Sequence, residues 1–505
     1  MEALLEPLRE LAEIEEIQNE KKKEAGLIQI TGCVGSQKTH LTCALGSDCK
    51  YKLIVTSGES KAKQMYEEYR FLKETVYLYP AKDLLFYHAD LRGKQLVSSR
   101  METIQALLLG EGCTVITTFD AFMDSLLPIE TIRERIFSLK VGDIIDFEKV
   151  QKDLTLLGYE REVQIEGPGQ FAVRGGILDV YPLTEEVPVR IELWDDEIDS
   201  IRTFDVESQR SIENLEEITI YPASEFMDEK TKRVSFLDYF PREDTLLFLE
   251  EPARLIEQGE AVEAEFIESM KKRVETGCEV SDEEVKLFAP KEIASKMNQY
   301  PGIGLSILEG KRNLFHVKKS IHLQVKGVNP YNNSFETLTR DLARLKRSGY
   351  RVILLSGSRT RAKRLAEDLR DYSLSSFYSE EMDREVQPGE IMVAYGHVDE
   401  GYEYPLLKFI VISETDIFGK KKKKKKRKTY EGQKIQSFSD LKVGDYVVHE
   451  NHGLGIYQGI EKIEVDKVAK DYMKISYADG GNLYILATQL ELIQKYASAD
   501  AKDLS

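Results

Sequence analysis

The sequence predicts an α/β multidomain chain. Its expected parts are a parallel-sheet domain with an inserted small β-rich module, a second small α/β domain, and a C-terminal SH3/Tudor-like β-barrel. Three observations lead there. A length of 505 residues, at roughly 100–200 residues per domain, calls for three or four domains. Short apolar runs alternate with helical patterns near the N-terminus and again after residue 334, which is how parallel sheets with covering helices are written. Nine consecutive basic residues, Lys420–Lys428, divide this part from a final β-patterned segment.

The elements follow in order. Gly26–Thr31 (GLIQIT) reads as a strand, and the Gly-containing turn after it opens a helix near Thr39–Gly46. Lys52–Thr56 is a second strand, followed by a helix from Ser60 to Leu72; Thr114–Thr118 is a third, with a helix over Asp120–Leu127. These make a first α/β domain over 1–140. The pattern then turns β-rich, through Gln170–Tyr181, Val187–Trp194, Ile198–Val206 and Glu217–Tyr221, punctuated by Pro182 and Pro188, giving a compact module over 141–223. Residues 224–330 read as long helical patterns, for example Glu250–Arg273. A second α/β unit over 331–418 has helices Ser334–Ser348 and Arg359–Asp371 and strands Arg351–Leu355, Glu390–Ala394 and Phe409–Ser413. Like charges at the density of Lys420–Lys428 repel, so 419–436 is expected to be an extended linker. The barrel spans 437–496, with a strand at Asp445–His449 and a hairpin of Tyr472–Tyr477 and Asn482–Leu486 across a turn containing Gly480 and Gly481, before a tail over 497–505.

Composition narrows the function classes. Hydrophobic residues make up 42% and charged residues 31%, which excludes disorder along the whole length. No run reaches the ~18–20 apolar residues of a membrane helix. The N-terminus (MEALLEPLRELAEIEE) is acidic and amphipathic, unlike a targeting peptide. The five cysteines contain no Cys-x-x-Cys pair, so neither a disulfide framework nor a zinc ribbon is expected and a cytoplasmic location is. The net charge of −18 disfavours a whole-chain nucleic-acid binder, leaving any DNA contact weak or local.

A phosphate-loop pattern sits between the first strand and the first helix, as Gly32-Cys33-Val34-Gly35-Ser36-Gln37-Lys38-Thr39. The pattern Gly-x-x-x-x-Gly-Lys-Ser/Thr requires glycine where this chain has Gln37. A Cβ there crowds a phosphate and restricts φ. A magnesium-holding carboxylate should follow an apolar strand; the nearest candidates, Asp120 and Glu414, lack the usual immediate run, and no arginine-finger motif is present. Gly32, Gly35, Gln37, Lys38 and Thr39 therefore read as a degenerate nucleotide loop. A DNA-stimulated ATPase or translocase using Lys38 and Thr39 is the alternative.

Two surfaces read as docking sites. In Val187–Trp194 the side chains alternate faces, with Val187, Val189, Ile191 and Leu193 toward the core and Pro188, Arg190, Glu192 and Trp194 away from it. Trp194 is the only tryptophan, and tryptophan and arginine dominate binding hot spots. Arg174 precedes Gly175-Gly176, a pair expected to form a bulge that re-aims it. In the barrel, His449, Glu450, Asn451, His452, Gly453, Leu454, Gly455, Ile456 and Tyr457 form a strand and a Gly-punctuated turn. Two histidines without further ligands make no metal site. Six basic and nine acidic residues over 437–496 suit protein docking, with edge-strand pairing the simplest mode.

Three stretches carry a family resemblance: Arg174–Pro182 (RGGILDVYP), Trp194–Asp205 (WDDEIDSIRTFD) running into Ser208–Arg210, and Gly444–Gly455 (GDYVVHENHGLG) with Tyr457. From about residue 20 to Tyr496 the chain resembles the N-terminal portion of the bacterial transcription-repair coupling factors. The first two stretches look like the module shared with the excision-repair helicase UvrB; the third looks like the RNA-polymerase-interacting domain shared with CarD-type regulators. The resemblance implies a non-catalytic scaffold, with Arg174, Arg190 and Trp194 contacting UvrA. It likewise implies that His449, Glu450, Asn451, His452, Gly453, Leu454, Ile456 and Tyr457 contact the β subunit of RNA polymerase. No catalytic residue, cofactor or metal is implied in this chain, because ATP and magnesium serve the motor domains of the family. Those domains and the C-terminal domain that covers the UvrA surface are not among these residues, so a monomeric adaptor with that surface open is expected.

Overall fold

The computed structural model describes residues 2–72, 75–82, 93–225, 232–275, 287–308, 314–419, 432–434, 441–449, 453–465, 468–476, 482–486 and 493–496. Its largest layer is a seven-stranded sheet in the order Val317–His322, Gly26–Thr31, Pro301–Leu305, Thr245–Glu250, Tyr51–Thr56, Cys113–Thr118, Val76–Tyr79. Every pairing in it is parallel. The central strands are buried along their whole length, which is why they read as continuous apolar runs rather than alternating ones. The helices Gln37–Gly46, Glu59–Phe71 and Gly93–Leu109 connect strands of this sheet.

Two expectations change here. The stretch 224–330 is not simply helical: besides the helix Pro252–Glu275 it supplies three of the seven strands. Runs as short as TLLFLE and PGIGL carry no period that separates strand from buried helix, so only their parallel partners decide. The helix expected over Asp120–Leu127 is a 3-10 turn at Phe119–Phe122, followed after Pro128 by a short helix at Ile129–Arg133. Proline disfavours the α conformation in the residue before it. Leu126 instead exchanges backbone hydrogen bonds of 2.8 Å with Val234 in both directions.

The β-rich module is a six-stranded sheet in the order Ser211–Leu215, Glu197–Phe204, Val189–Trp194, Ile177–Tyr181, Gln170–Arg174, Glu160–Glu162. A two-stranded ladder of Glu217–Ile220 with Phe137–Lys140 accompanies it. The helix Phe147–Leu156, capped by the Asp146 carboxylate accepting from the Lys149 amide at 3.0 Å, contributes Val150 and Leu154 to the module's core with Phe171, Leu178, Val180 and Ile191.

The second α/β unit has four parallel strands, Phe409–Ser413, Arg351–Ser356, Ile391–Tyr395 and Ser376–Ser379. Tyr402–Tyr404 and Lys326–Gly327 extend it in antiparallel fashion. Its helices Phe335–Arg347 and Arg359–Asp371 match the sequence periodicity, each started by a serine hydroxyl, Ser334 and Ser358. One face of this sheet shares a core with the first domain, in which Ile28, Leu41, Met65 and Tyr69 lie with Ile353, Met392, Tyr402 and Val411. The N-terminal segment adds Ala3, Leu4, Leu8, Ile14 and Ile17 to the same core.

The C-terminal strands Gly432–Lys434, Ile493–Tyr496, Tyr446–His449, Gly453–Val465, Val468–Ser476 and Asn482–Leu486 form, in that order, an antiparallel half-barrel. Its core is Leu441, Val447, Tyr457, Met473, Ile475, Ile485 and Ile493. The basic run Lys420–Lys428 and the turn at Ala478–Gly481 lie outside the described residues.

Candidate functional site

The face of the module that carries Arg174, Arg190 and Trp194 is built on two hairpins. Arg174 pairs with Ile177, so Gly175-Gly176 is the two-residue turn of a hairpin and not the bulge expected from sequence; Gly175 takes φ +60°, the left-handed conformation such turns need. The other hairpin pairs Trp194 with Glu197, with Asp195 at φ 60°. The predicted alternation holds over Val189–Trp194: Val189 and Ile191 are buried, Arg190 and Glu192 are half-buried, and Trp194 is 81% exposed. Pro188 departs from it and is buried, because the strand begins only at Val189.

Asp179 organises the two arginines. Its carboxylate, 1% exposed, accepts from Arg190 Nε at 2.7 Å, Arg190 Nη2 at 2.9 Å and Arg174 Nη2 at 2.9 Å. Arg190 also donates to Gln209 Oε1 at 2.7 Å and lies 4.2 Å from the Phe204 ring centroid. Bidentate pairing of this kind is strong and directional. Arg190 is thus held by three residues, whereas the Arg174 side chain remains 48% exposed and Trp194 projects freely. Sequence reasoning missed Asp179 and Gln209. A lone acid inside the apolar strand ILDVY was the available signal, since a buried carboxylate requires cationic partners.

The phosphate-like loop is closed upon itself. The amides of Gly32 and Cys33 donate to the carbonyls of Ile307 and Ser306 at 3.1 and 3.0 Å, and those of Gln37 and Lys38 donate within the loop. The Val34 amide donates to the Gln37 side-chain oxygen at 3.3 Å, so the substituted residue takes an acceptor's place over the loop. A Cβ on Gly35 would lie 2.7 Å from the Glu400 carboxylate. Lys38 Nζ is 2.7 Å from both Glu250 Oε1 and Glu251 Oε1. Burial works against the Lys38 charge, but the two carboxylates overcome it and hold its pKa above the ordinary lysine value. Burial likewise opposes the charge of Glu250, and Lys38 reverses the effect, lowering that carboxyl. Thr39 Oγ1 donates to Glu68. With its amides, lysine and hydroxyl engaged in this way, the loop does not fit a nucleoside triphosphate.

The carboxylates beside Lys38 are not those anticipated. Asp120 accepts from Gln258 at 3.4 Å, and Glu414 accepts from the Gly357 amide at 2.9 Å. Glu250 and Glu251 end the strand TLLFLE, an apolar run closing on acids that sequence inspection could have picked out.

A polar chain joins this loop to the second α/β unit. Gln37 Nε2 donates to the Tyr404 hydroxyl at 3.0 Å, which lies 3.1 Å from His40 Nδ1. His40 Nε2 lies 2.7 Å from the Leu4 carbonyl. A carbonyl only accepts, so the imidazole proton sits on Nε2 and Tyr404 donates to Nδ1. Burial lowers the His40 pKa to about 4.

In the half-barrel, Tyr457 is 5% exposed and part of the core, with burial pushing its phenol up to about 12. Its side chain faces inward, into that core. Strand alternation carries the sign of it: Gly455, opposite the buried Val447, is itself buried, and Tyr457 two residues on shares that inward face. Ile456 is half-buried and Gly455 buried. His449, Gly453 and Leu454 belong to the paired strands Tyr446–His449 and Gly453–Val465, while Glu450, Asn451 and His452 lie outside the described residues.

Comparison with known proteins bears on both ends of the chain. Residues 137–226 match the UvrB interaction domain, and residues 441–497 match the CarD-like/TRCF RID domain. The chain is 30% identical to the transcription-repair-coupling factor of Bacillus subtilis over 94% of its own length and 45% of that protein. It is 27% identical to that of Staphylococcus haemolyticus with the same coverage, and 28% identical to that of Staphylococcus aureus MRSA252 over 85% of this chain and 41% of that one. The chain is therefore similar to the N-terminal portion of these factors, as its motifs implied, and spans a little under half the length of the curated relatives it matches.

Proposed function

We propose that this chain is a non-catalytic coupling scaffold, in which the β-rich module recruits UvrA and the C-terminal half-barrel binds the β subunit of RNA polymerase, linking stalled transcription to excision repair. The observation that carries this reading is the sheet face at 174–194, where an exposed tryptophan shares a face with arginines braced by a buried aspartate, inside the segment that matches the UvrB interaction domain. An exposed aromatic at the end of a rigid hairpin is the geometry of a binding anchor. On this reading the chain works as a monomer in the cytoplasm, needs no cofactor of its own, and retains a degenerate Walker A loop for its structural role alone.

The test is a binding assay with purified UvrA and RNA polymerase. Trp194→Ala should weaken UvrA binding by tenfold or more, since truncating a central anchor commonly costs ~2 kcal/mol, and should leave polymerase binding and the melting temperature unchanged. Arg190→Glu is a poorer probe. It sets a carboxylate against buried Asp179 and should destabilise the module itself by about 3–5 kcal/mol, readable as a loss of thermal stability. Unchanged UvrA affinity in Trp194→Ala would reject the docking assignment. For the ATPase alternative, phosphate release with and without DNA, compared with Lys38→Ala, decides; turnover that this change abolishes would restore an enzymatic role.

A further inference from the structure

A second surface of the β-rich module lies away from Trp194. Between the sheet edge at Ser211–Leu215 and the ladder strand Glu217–Ile220 runs a groove of about 490 Å³. Its wall is apolar, formed by side chains such as Tyr159, Val187, Leu215, Ile218 and Tyr221, while the charged residues lining it are Glu185, Glu213 and Glu217, with no lysine or arginine among the described ones. Ile212, which also lines it, is 60% exposed.

The edge offers backbone as well. Ser211–Leu215 is the terminal strand of its sheet. The Glu213 amide turns inward to Thr203 Oγ1 at 3.1 Å, so alternation along the strand directs the amides of Ile212 and Asn214 to the free side. A solvent-facing edge beside an apolar trough is the arrangement to which extended peptides add as a further strand, alternate side chains filling the trough.

We propose that this groove is a second protein-docking site, which takes an extended polypeptide segment alternating apolar and basic residues. The apolar side chains enter the trough, the basic ones meet Glu185 and Glu213 at its rim, and the main chain pairs with Ile212 and Asn214. The site goes beyond the UvrA and polymerase surfaces. It opens at the start of the strand Val189–Trp194, whose five-residue rise puts Trp194 about 17 Å away, so both sites can be filled together.

The experiment uses the whole chain and a fluorescein-labelled peptide of four Lys-Val repeats, followed by fluorescence anisotropy. Saturable binding that weakens with added salt is expected, together with at least tenfold weaker binding of a Glu-Val repeat peptide. Glu185→Lys combined with Glu213→Lys, both at exposed positions, should weaken the Lys-Val peptide at least tenfold. Asn214→Pro should do the same by removing an edge amide, and Trp194→Ala should change nothing. Equal binding of the two peptides, or undiminished binding to the Glu185→Lys/Glu213→Lys variant, would overturn the proposal. So would self-association of the chain through this edge, seen by sedimentation and abolished by Asn214→Pro. Loss of UvrA binding alone in Trp194→Ala leaves this site standing, which separates its fate from that of the proposed function.

Discussion

His40 shows how one buried side chain reports on the junction it sits in. It is enclosed by Tyr402, stacked at 5.0 Å between ring centroids, and by Tyr404 and Leu4. Neither neighbour supplies a negative charge to support an imidazolium, so desolvation prevails and the folded pKa of about 4 lies below the unfolded 6.5. Below pH 6.5 the unfolded chain binds a proton that the folded chain does not. Stability from this residue is therefore whole above about pH 6.5, declines as pH falls toward 4, and is level again below that. Between pH 7.5 and pH 5 the protein should lose about 2 kcal/mol more stability than a His40→Gln variant, as measured by urea denaturation at each pH. An equal loss in both proteins would show that His40 is not the titrating group. Asp179 is buried among cations instead: it accepts from both Arg174 and Arg190, and that fixes Arg174 on the same face of the sheet as the exposed Trp194.

At the scale of elements, the loop 32–39 is bonded within the chain. In a nucleotide-binding loop the amides, the lysine and the hydroxyl converge on phosphates. Here Gln37, Glu250, Glu251 and Glu68 supply the acceptors from within the chain, and the strand Tyr402–Tyr404 seals the arrangement through one phenol. Tyr404→Phe would strand both Gln37 Nε2 and His40 Nδ1 in a dry interface. Leaving buried polar groups unsatisfied costs about 1–3 kcal/mol each, so the variant should melt several degrees lower in calorimetry. Full retention of stability would mean the polar chain contributes nothing to the junction. Gln37 was legible in the sequence as a departure from the loop pattern. Its contact with Tyr404, 367 residues away, was not, because no local spacing encodes a side-chain meeting across two sheets.

For the whole molecule, the distribution of cores sets the units of unfolding. The first domain and the second α/β unit share one continuous core, and the N-terminal segment is stitched across both by the Ala3 amide donating to the Met382 carbonyl at 3.1 Å and by the Glu10–Arg351 pair at 2.6 Å. The half-barrel core is drawn only from residues after 440. Calorimetry should resolve the shared core as one cooperative transition and the half-barrel as another. Ile353→Ala should lower the first by about 2–5 kcal/mol and leave the second in place. A single transition shifted as a whole by that change would contradict the division. The alternation of strands and helices announced two α/β units, but gave no sign that three strands from 245–322 complete the first sheet. Sheet order joins segments far apart in sequence, and short apolar runs are silent about their neighbours.

By itself the sequence determined local events: the strand–helix alternation of the two α/β units, the helix begun at Ser334, the departure of Gln37 from the phosphate-loop pattern, and the place of Trp194 on the solvent face of its strand. These depend on side-chain period, capping chemistry and Cβ sterics, all of which act over a few residues. Only the tertiary structure decided that Arg190 is a braced strut while Trp194 is free, that Tyr457 points into a core, and that Lys38 answers to Glu250 and Glu251. Burial and charge pairing are properties of surroundings assembled from distant parts of the chain, and they exist only once the sheets have packed.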